Sequence, residues 1–299
     1  MIWVLLSLCG AFFQALGSAV SKTALRMHDR KYMVGFVSYS VAGVVFLLLH
    51  YFTSGSFWMD GLTGNFWITI ASFAVLNGLG AWFLYQALEF SELNYVMPFM
   101  TLTSLSLVIP PIFLLGEIPS VGSLFGIILI VCGAMLMNYS KRELTSDEFL
   151  QRTLNRKGLK YFLVTAVCFT ILPTLAKVAI QGSSVLFASF ITEISTAFVF
   201  LLIILFKNEW KYFREFFSEK NRKFFALVLL IGLIYVGENG TINLALKTAP
   251  VAQVFAIKRM MPLFAFLIGF FYFREREDGG KKILATALMV AGAIATILL

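Results

Sequence analysis

Fixed charge is scarce in this chain. Asp, Glu, Lys and Arg supply only 13% of its 299 residues while apolar types supply 59%, a balance far from soluble globular usage. The mean hydropathy of +0.85 points the same way, to a polytopic membrane protein with little room for a soluble domain. Histidine is nearly missing too: His28 and His50 both sit near the ends of apolar runs, so no Ser-His-Asp or metal-ligand arrangement is available for catalysis. Cys9, Cys132 and Cys168 fall inside apolar runs, where they act as small hydrophobic residues, and they form neither a disulfide framework nor a metal spacing. No GxxxxGK[ST] motif occurs, which removes an intrinsic ATP-driven pump of that type. The chain is expected to be no enzyme and to use no cofactor and no metal.

What is abundant is apolar sequence in long runs. A spanning helix needs about 20 apolar residues, and ten such runs are predicted near 2–24, 33–52, 66–88, 93–115, 121–139, 160–181, 185–206, 224–247, 251–273 and 282–299. The fold class expected is all-α. The first run opens at residue 2 with no basic leader and no small-residue cleavage site, so it reads as the first span and not as a cleaved signal. Although the net charge is +8, the basic residues belong to loops, which argues against nucleic acid as a partner. Assigning alternate sides to ten spans puts 19 of the 24 Lys and Arg on one face: Arg26, Arg30 and Lys31, the loops Lys141 to Lys160 and Lys207 to Lys223, and Arg274, Arg276, Lys281 and Lys282. Only Lys247 lies on the other face. Basic excess marks the cytoplasmic side, so both termini are expected outside, in a multi-pass protein of a prokaryotic plasma (inner) membrane.

The chain also repeats itself. Ala87-Leu88 and Glu117 recur 158 residues later as Ala245-Leu246 and Glu275. Val131-Cys132-Gly133-Ala134 corresponds to Val290-Ala291-Gly292-Ala293, and Lys22 to Lys177. Each half then has five spans, and an odd number forces the second half to insert upside down relative to the first, the plan of many secondary transporters. The domains expected are 1–139, a polar cytoplasmic linker 140–158, and 159–299.

The turn Leu115-Gly116-Glu117-Ile118-Pro119, its counterpart Phe273-Arg274-Glu275, and the segment Ala256-Ile257-Lys258-Arg259-Met260-Met261-Pro262-Leu263-Phe264 together resemble the drug/metabolite transporter superfamily, in its EamA-like branch. The resemblance covers essentially the whole chain and implies a ten-helix transporter. The Lys258-Arg259 pair is similar to one in the plastid phosphate translocators, where such a pair holds the substrate phosphate together with a further lysine. By that resemblance Lys177 is the third member. Glu238 and Glu193 depart from the pattern, since they would offset a cationic pocket.

Read from the residues alone, Lys177, Glu193, Glu238, Lys258 and Arg259 are ionisable side chains within bilayer-length apolar runs, and such groups mark ligand or ion paths. Counted at 1.5 Å per residue from the cytoplasmic ends, Lys177, Glu193, Glu238 and Lys258 lie between about 20 and 24 Å deep, so the expectation is one shared level. Arg suits bidentate recognition of carboxylate or phosphate, and Lys supplies a point charge. The bland alternative is an internal ion pair such as Glu238 with Lys258 or Arg259. For Lys177 the bland alternative is snorkelling to the interface. Glu117 and Glu275, beside turns, are expected to be structural. Gln14 and Asn77 are the uncharged candidates for the site, among Ser38, Ser40, Thr101, Thr103 and Ser104 at comparable depth. Pro98, Pro110, Pro111, Pro173 and Pro262 mark expected kinks. Trp3, Trp58, Trp67 and Trp210 read as interfacial, with Trp82, Tyr85 and Tyr235 placed to border a cavity.

The leading function on this reading is secondary transport of a small anionic or zwitterionic metabolite by alternating access of two inverted repeats. The alternatives are proton-coupled export of amino acids or cationic amphiphiles, with Glu193 or Glu238 carrying the proton, and, more remotely, a non-transport intramembrane protein. The expected partners are a small-molecule substrate, the lipid bilayer, and protons or a counter-substrate; the chain is expected as a monomer or homodimer.

Single cysteines at Ser146 and Ser218, in a background lacking the native three, should resist an impermeant thiol reagent in intact cells and react after lysis. Labelling of intact cells reverses the orientation.

Overall fold

A computed structural model describes residues 1–27, 30–90, 105–138, 156–213, 222–272 and 279–298. The linker 140–155, Pro98, Thr101, Thr103, Ser104, the Tyr85 side chain and Glu275 lie outside the described residues.

All regular structure in the described residues is helical. The helices are α1 (Ile2–Met27), α2 (Lys31–Ser54), α3 (Gly64–Phe90), α4 (Ile109–Leu115), α5 (Val121–Asn138), α6 (Arg156–Gln181), α7 (Val185–Phe206), α8 (Arg222–Thr248), α9 (Val251–Lys258), α10 (Met261–Tyr272) and α11 (Gly279–Leu298), with a 3-10 turn at Glu209–Tyr212. Six of them, α1, α2, α3, α6, α7 and α8, are long and apolar enough to cross a membrane, and shorter apolar stretches run through Val121–Met137 and Ile283–Leu298.

The punctuation is local chemistry. Gly55 ends α2 in the left-handed region, at φ 75°, its N–H bonded to the Tyr51 carbonyl, and Gly116 ends α4 the same way at φ 67°. Ser184 caps α7 by accepting from the Phe187 N–H at 3.2 Å. Pro110 and Pro111 stand in the first turn of α4, where a missing N–H does no harm.

The run 251–273, expected as one span, is divided between α9 and α10. Pro262 explains the division: it offers no N–H to the Lys258 carbonyl, and its ring crowds that carbonyl. Pro173, the other expected kink, is carried inside an unbroken α6. That helix also begins at Arg156, inside the stretch expected as linker.

The principal helix pairs are α1 with α8, α2 with α7, α3 with α6, and α5 with α11. Lipid gives no hydrophobic reason for helices to associate, so close approach through small residues does the work. The α5/α11 seam shows it best. A Cβ on Gly126 would lie 2.6 Å from the Gly292 carbonyl oxygen and from the Thr296 nitrogen, and one on Gly292 would lie 2.7 Å from the Gly126 carbonyl oxygen. Elsewhere Gly10 faces Ile242, Gly232 faces Val41, and Gly237 faces the Phe13 ring.

Two apolar clusters bracket the middle of the bundle. One holds Phe66, Phe187, Ile242, Leu246 and Val254. The other holds Tyr32, Met33, Phe200, Ile204, Phe224 and Ile231. A third cluster, built from Ile127, Ile130, Ile257 and Met289, fills the space among α5, α9 and α11.

The basic residues gather beyond the second cluster, where the Arg30 guanidinium lies 3.7 Å from the Tyr212 ring centroid and the Lys207 ammonium 5.4 Å from that of Tyr32. The opposite end carries stacked Trp58 and Trp67 with Phe66 and Phe187.

Besides the Thr296 hydroxyl, the atoms facing Gly126 are backbone and cannot swing away. Gly126→Ala should cost about 1–3 kcal/mol, the range for overpacking, seen as a lower melting temperature in detergent, whereas Gly64→Ala, with open space around it, should melt like the parent.

Candidate functional site

Between the two bracketing clusters the side chains turn polar. On α7, Ser189, Thr192, Glu193 and Thr196 follow at helical spacing, and Glu193 is buried. On α8, Glu238, Asn239 and Asn243 face them. Asn239 donates from Nδ2 to Glu193 Oε1 at 2.7 Å, and Asn243 donates to Ser189 Oγ at 2.8 Å. Asn77 of α3 adds a third rung, donating to Thr196 Oγ1 at 2.7 Å. Residues four apart on a helix share a face, so the 189/193 and 239/243 pairs zip α7 to α8.

α9 brings the cations to this layer. The Lys258 ammonium pairs with Glu238 Oε1 at 2.8 Å, with both side chains about nine-tenths buried. Arg259 occupies the break between α9 and α10. Its own N–H bonds the Phe255 and Ala256 carbonyls at 3.0 and 3.1 Å, and Met260 N–H bonds the Ile257 carbonyl at 2.9 Å, so the chain crosses the break in tight turns. Its side chain is different: among the described residues no carboxylate pairs with Arg259, and its Nε is buried without a hydrogen-bond partner.

Glu193 Oε2 and Thr174 Oγ1 are likewise buried and unpartnered. Buried polar groups are ordinarily satisfied. Arg259 Nε, an orphan donor, and Glu193 Oε2, an orphan acceptor, are each a group that a polar ligand would complete.

Gln14 sits on the stripe of α1 defined by Gly10 and Gly17, which face Ile242 and Ile234 of α8. Glu238 lies midway between those two residues, which puts Gln14 at its level. Tyr235, one turn before Glu238, shares hydrogen bonds with Ser21 and Tyr39. Ser38 donates instead to the Val228 carbonyl at 3.2 Å and ties α2 to α8.

Lys177 does not meet the expectation of a common cluster in its contacts. Its ammonium pairs with Glu117 Oε1 at 2.5 Å and donates to the Ala249 carbonyl at 2.6 Å, while Glu117 Oε2 accepts the Val251 N–H at 2.8 Å. These four groups close the end of α4, the last turns of α6 and the α8–α9 turn into one knot. Depth counted along a single helix does not show this, because the partner of Lys177 arrives from α4. Glu117 is structural, as expected. Trp82, expected near a cavity, stands on the outer face of α3 and is 40% exposed.

Asn239, Asn243, Ser189 and Thr196 were not singled out from the sequence. The signal was present in two i, i+4 polar pairs at matching depth in consecutive long spans, and it is hidden when only formal charges are sought.

The profile of the EamA-like transporter family matches residues 1–139 and 156–298. The chain belongs to that family. It is accordingly a multi-pass integral membrane protein, a membrane transporter of the drug/metabolite type. A solved protein crystal structure aligns over 99% of this chain and 97% of its own, with a TM-score of 0.75 at 14% identity, a likeness of fold. No curated protein matches the sequence.

Lys177→Met should strand Glu117 and the Ala249 carbonyl and lower stability by about 3 kcal/mol, the low end for breaking a buried pair. Glu117→Gln/Lys177→Met should recover part of that loss in a thermal melt. Full stability of Lys177→Met would free Lys177 for a ligand.

Proposed function

We propose that this EamA-like protein is a secondary transporter of a small anionic or zwitterionic metabolite, worked by alternating access of two inverted five-helix repeats, 1–139 and 159–299, around the α7/α8/α9 polar layer. The observation that carries the reading is Arg259: a guanidinium at a helix break, buried and unpartnered at Nε, with no carboxylate pairing it among the described residues. In many secondary transporters the site is built from discontinuous helices near the membrane midplane. The half-helix α10 begins right after the break, and its N-terminus adds a favourable field for an anion.

In this reading Arg259 holds the anionic group of the substrate. Lys258 exchanges Glu238 for the substrate as it binds. Glu193, Asn77 and Gln14 complete the wall, Glu193 meeting an ammonium where the substrate is a zwitterion. Lys177 is left out, since its ammonium is already paired. The repeat part is supported by the helix pairs: counting α9 and α10 as the ninth span and α11 as the tenth, they are 1 with 8, 2 with 7, 3 with 6 and 5 with 10. Exchanging the halves turns this set into itself.

A second reading, proton-coupled export of amino acids or cationic amphiphiles, is favoured by the unpartnered Glu193 Oε2. Glu238 is the weaker proton carrier, because Lys258 holds it.

Arg259→Gln should abolish stabilisation by the substrate and uptake in proteoliposomes while the protein stays folded and monodisperse. Thermal-shift screening of the parent against phosphorylated sugars, organic acids and amino acids supplies the substrate, since a ligand binding the folded state raises the melting temperature. Glu238→Gln should preserve or tighten anion binding. Substrate binding unchanged in Arg259→Gln defeats the reading, and loss of proton-driven transport with exchange retained in Glu193→Gln favours the second.

A further inference from the structure

The bundle also has a concave feature away from the polar layer. A groove of about 500 Å³ runs between α3 and α7 on the outside of the bundle, walled by carbon: Ala74, Gly78 and Trp82 on one side, Phe198, Leu202 and Phe206 on the other. It is distinct from the proposed transport site, whose side chains point inward from the same α7. Its floor is low because Gly78 has no side chain; a Cβ there would already stand 3.2 Å from Val199 Cγ1. The wall residues span eight positions on each helix, so the groove is about 12 Å long at 1.5 Å per residue.

Its two ends differ. Ala74 and Phe198 lie toward the middle of their helices, deep in the expected hydrocarbon. Trp82 and Phe206 lie toward the basic end of the bundle, and the next residue is Lys207. The Lys207 ammonium sits 5.8 Å from the Trp82 ring centroid and 5.4 Å from that of Tyr32, and no carboxylate pairs with it among the described residues. Lys31 and Lys211 lie at the same end, against Tyr32 and Tyr212. A tryptophan beside an unpaired cation at the mouth of a carbon-walled groove matches one molecule end to end: an acyl chain inside the groove, a phosphate at the cation.

We propose that the α3/α7 groove is a binding site for an anionic phospholipid of the leaflet at the basic end, with its acyl chain against Gly78 and its phosphate on Lys207. The charge complementarity selects this occupant. A zwitterionic lipid would offer the same chain with a cancelled headgroup charge, and a second copy of this chain would bring the same basic end against its own. The site does not depend on what the polar layer carries.

Tryptophan quenching tests it. A variant keeping Trp82 and replacing Trp3, Trp58, Trp67 and Trp210 with Phe is reconstituted in vesicles of dioleoyl phosphatidylcholine containing a minor fraction of phosphatidylglycerol or of phosphatidylcholine brominated on the acyl chain. Brominated phosphatidylglycerol should quench Trp82 with an apparent affinity about fivefold higher, the worth of one basic side chain at an anionic surface, and Lys207→Gln should erase the difference. Native mass spectrometry of the parent and of Lys207→Gln, which needs no tryptophan replacement, should show phosphatidylglycerol retained by the first and lost from the second. Equal quenching by the two lipids overturns the proposal, as does unchanged retention in Lys207→Gln. Trp82 shielded from both lipids, with a cross-linked dimer through a cysteine at Leu202, overturns it in favour of a second copy.

Discussion

A backbone group left without a partner in hydrocarbon costs several kcal/mol, so helices in membranes are broken only where protein or a water-filled cavity satisfies the freed groups. Pro262 sets that condition between α9 and α10. Four residues earlier the Lys258 carbonyl loses its donor, and bonds from Arg259 and Met260 to the carbonyls of residues 255 to 257, then from Leu263 to that of Met260, carry the chain across the break. Next to this interruption Glu238 stands against Lys258, and on the neighbouring helices Asn239 holds Glu193 and Asn77 bonds Thr196. The apolar clusters above and below keep the layer narrow, and in low dielectric a guanidinium with an unpartnered Nε is conspicuous because water does little to soften it.

Stability and ligand chemistry are separated in the same fold. In the knot of Glu117, Lys177, the Ala249 carbonyl and the Val251 N–H each group is paired with another, and together they lock a turn. The Arg259 and Glu193 side chains each retain an unsatisfied buried atom. Lys177 and Arg259 read alike in the sequence, as ions in apolar runs. What divides them is pairing: Lys177 is held by a carboxylate and a carbonyl, while Arg259 Nε has no partner.

This is also where the sequence was legible and where it was not. The six long apolar helices and the nearness of Glu238 to Lys258 follow from quantities that run along one chain: apolar length and rise per residue. The EamA resemblance, carried by the Glu117 turn and the Lys258-Arg259 segment, holds over both halves of the chain. The pairing of Lys177 with Glu117 depends on how α4 leans against α6, which no periodicity records. Pro173 and Pro262 look equivalent on paper, yet α6 absorbs the first and the ninth span divides at the second. Asn239 and Asn243 were readable in principle, since their spacing matches that of Ser189 and Glu193, but uncharged amides in an apolar run carry meaning only when a second helix with the same spacing is set beside them.

The proposed two-repeat frame has a further consequence. An exchange-symmetric set of helix pairs allows two arrangements of similar energy, one the mirror in function of the other, because each contact in the first has a counterpart in the second. Packing residues should then be alike in the halves, and Gly133 and Gly292 occupy corresponding places, both pressed into the α5/α11 seam. Residues that meet a ligand have no such obligation. At the repeat distance of 158, Glu238 corresponds to Gly80, and Lys258 and Arg259 to Met100 and Thr101. The charges therefore break a symmetry that the packing keeps. A single ligand with one charged end can be bound once, by one half, while the symmetric frame supplies the two states between which it would be carried.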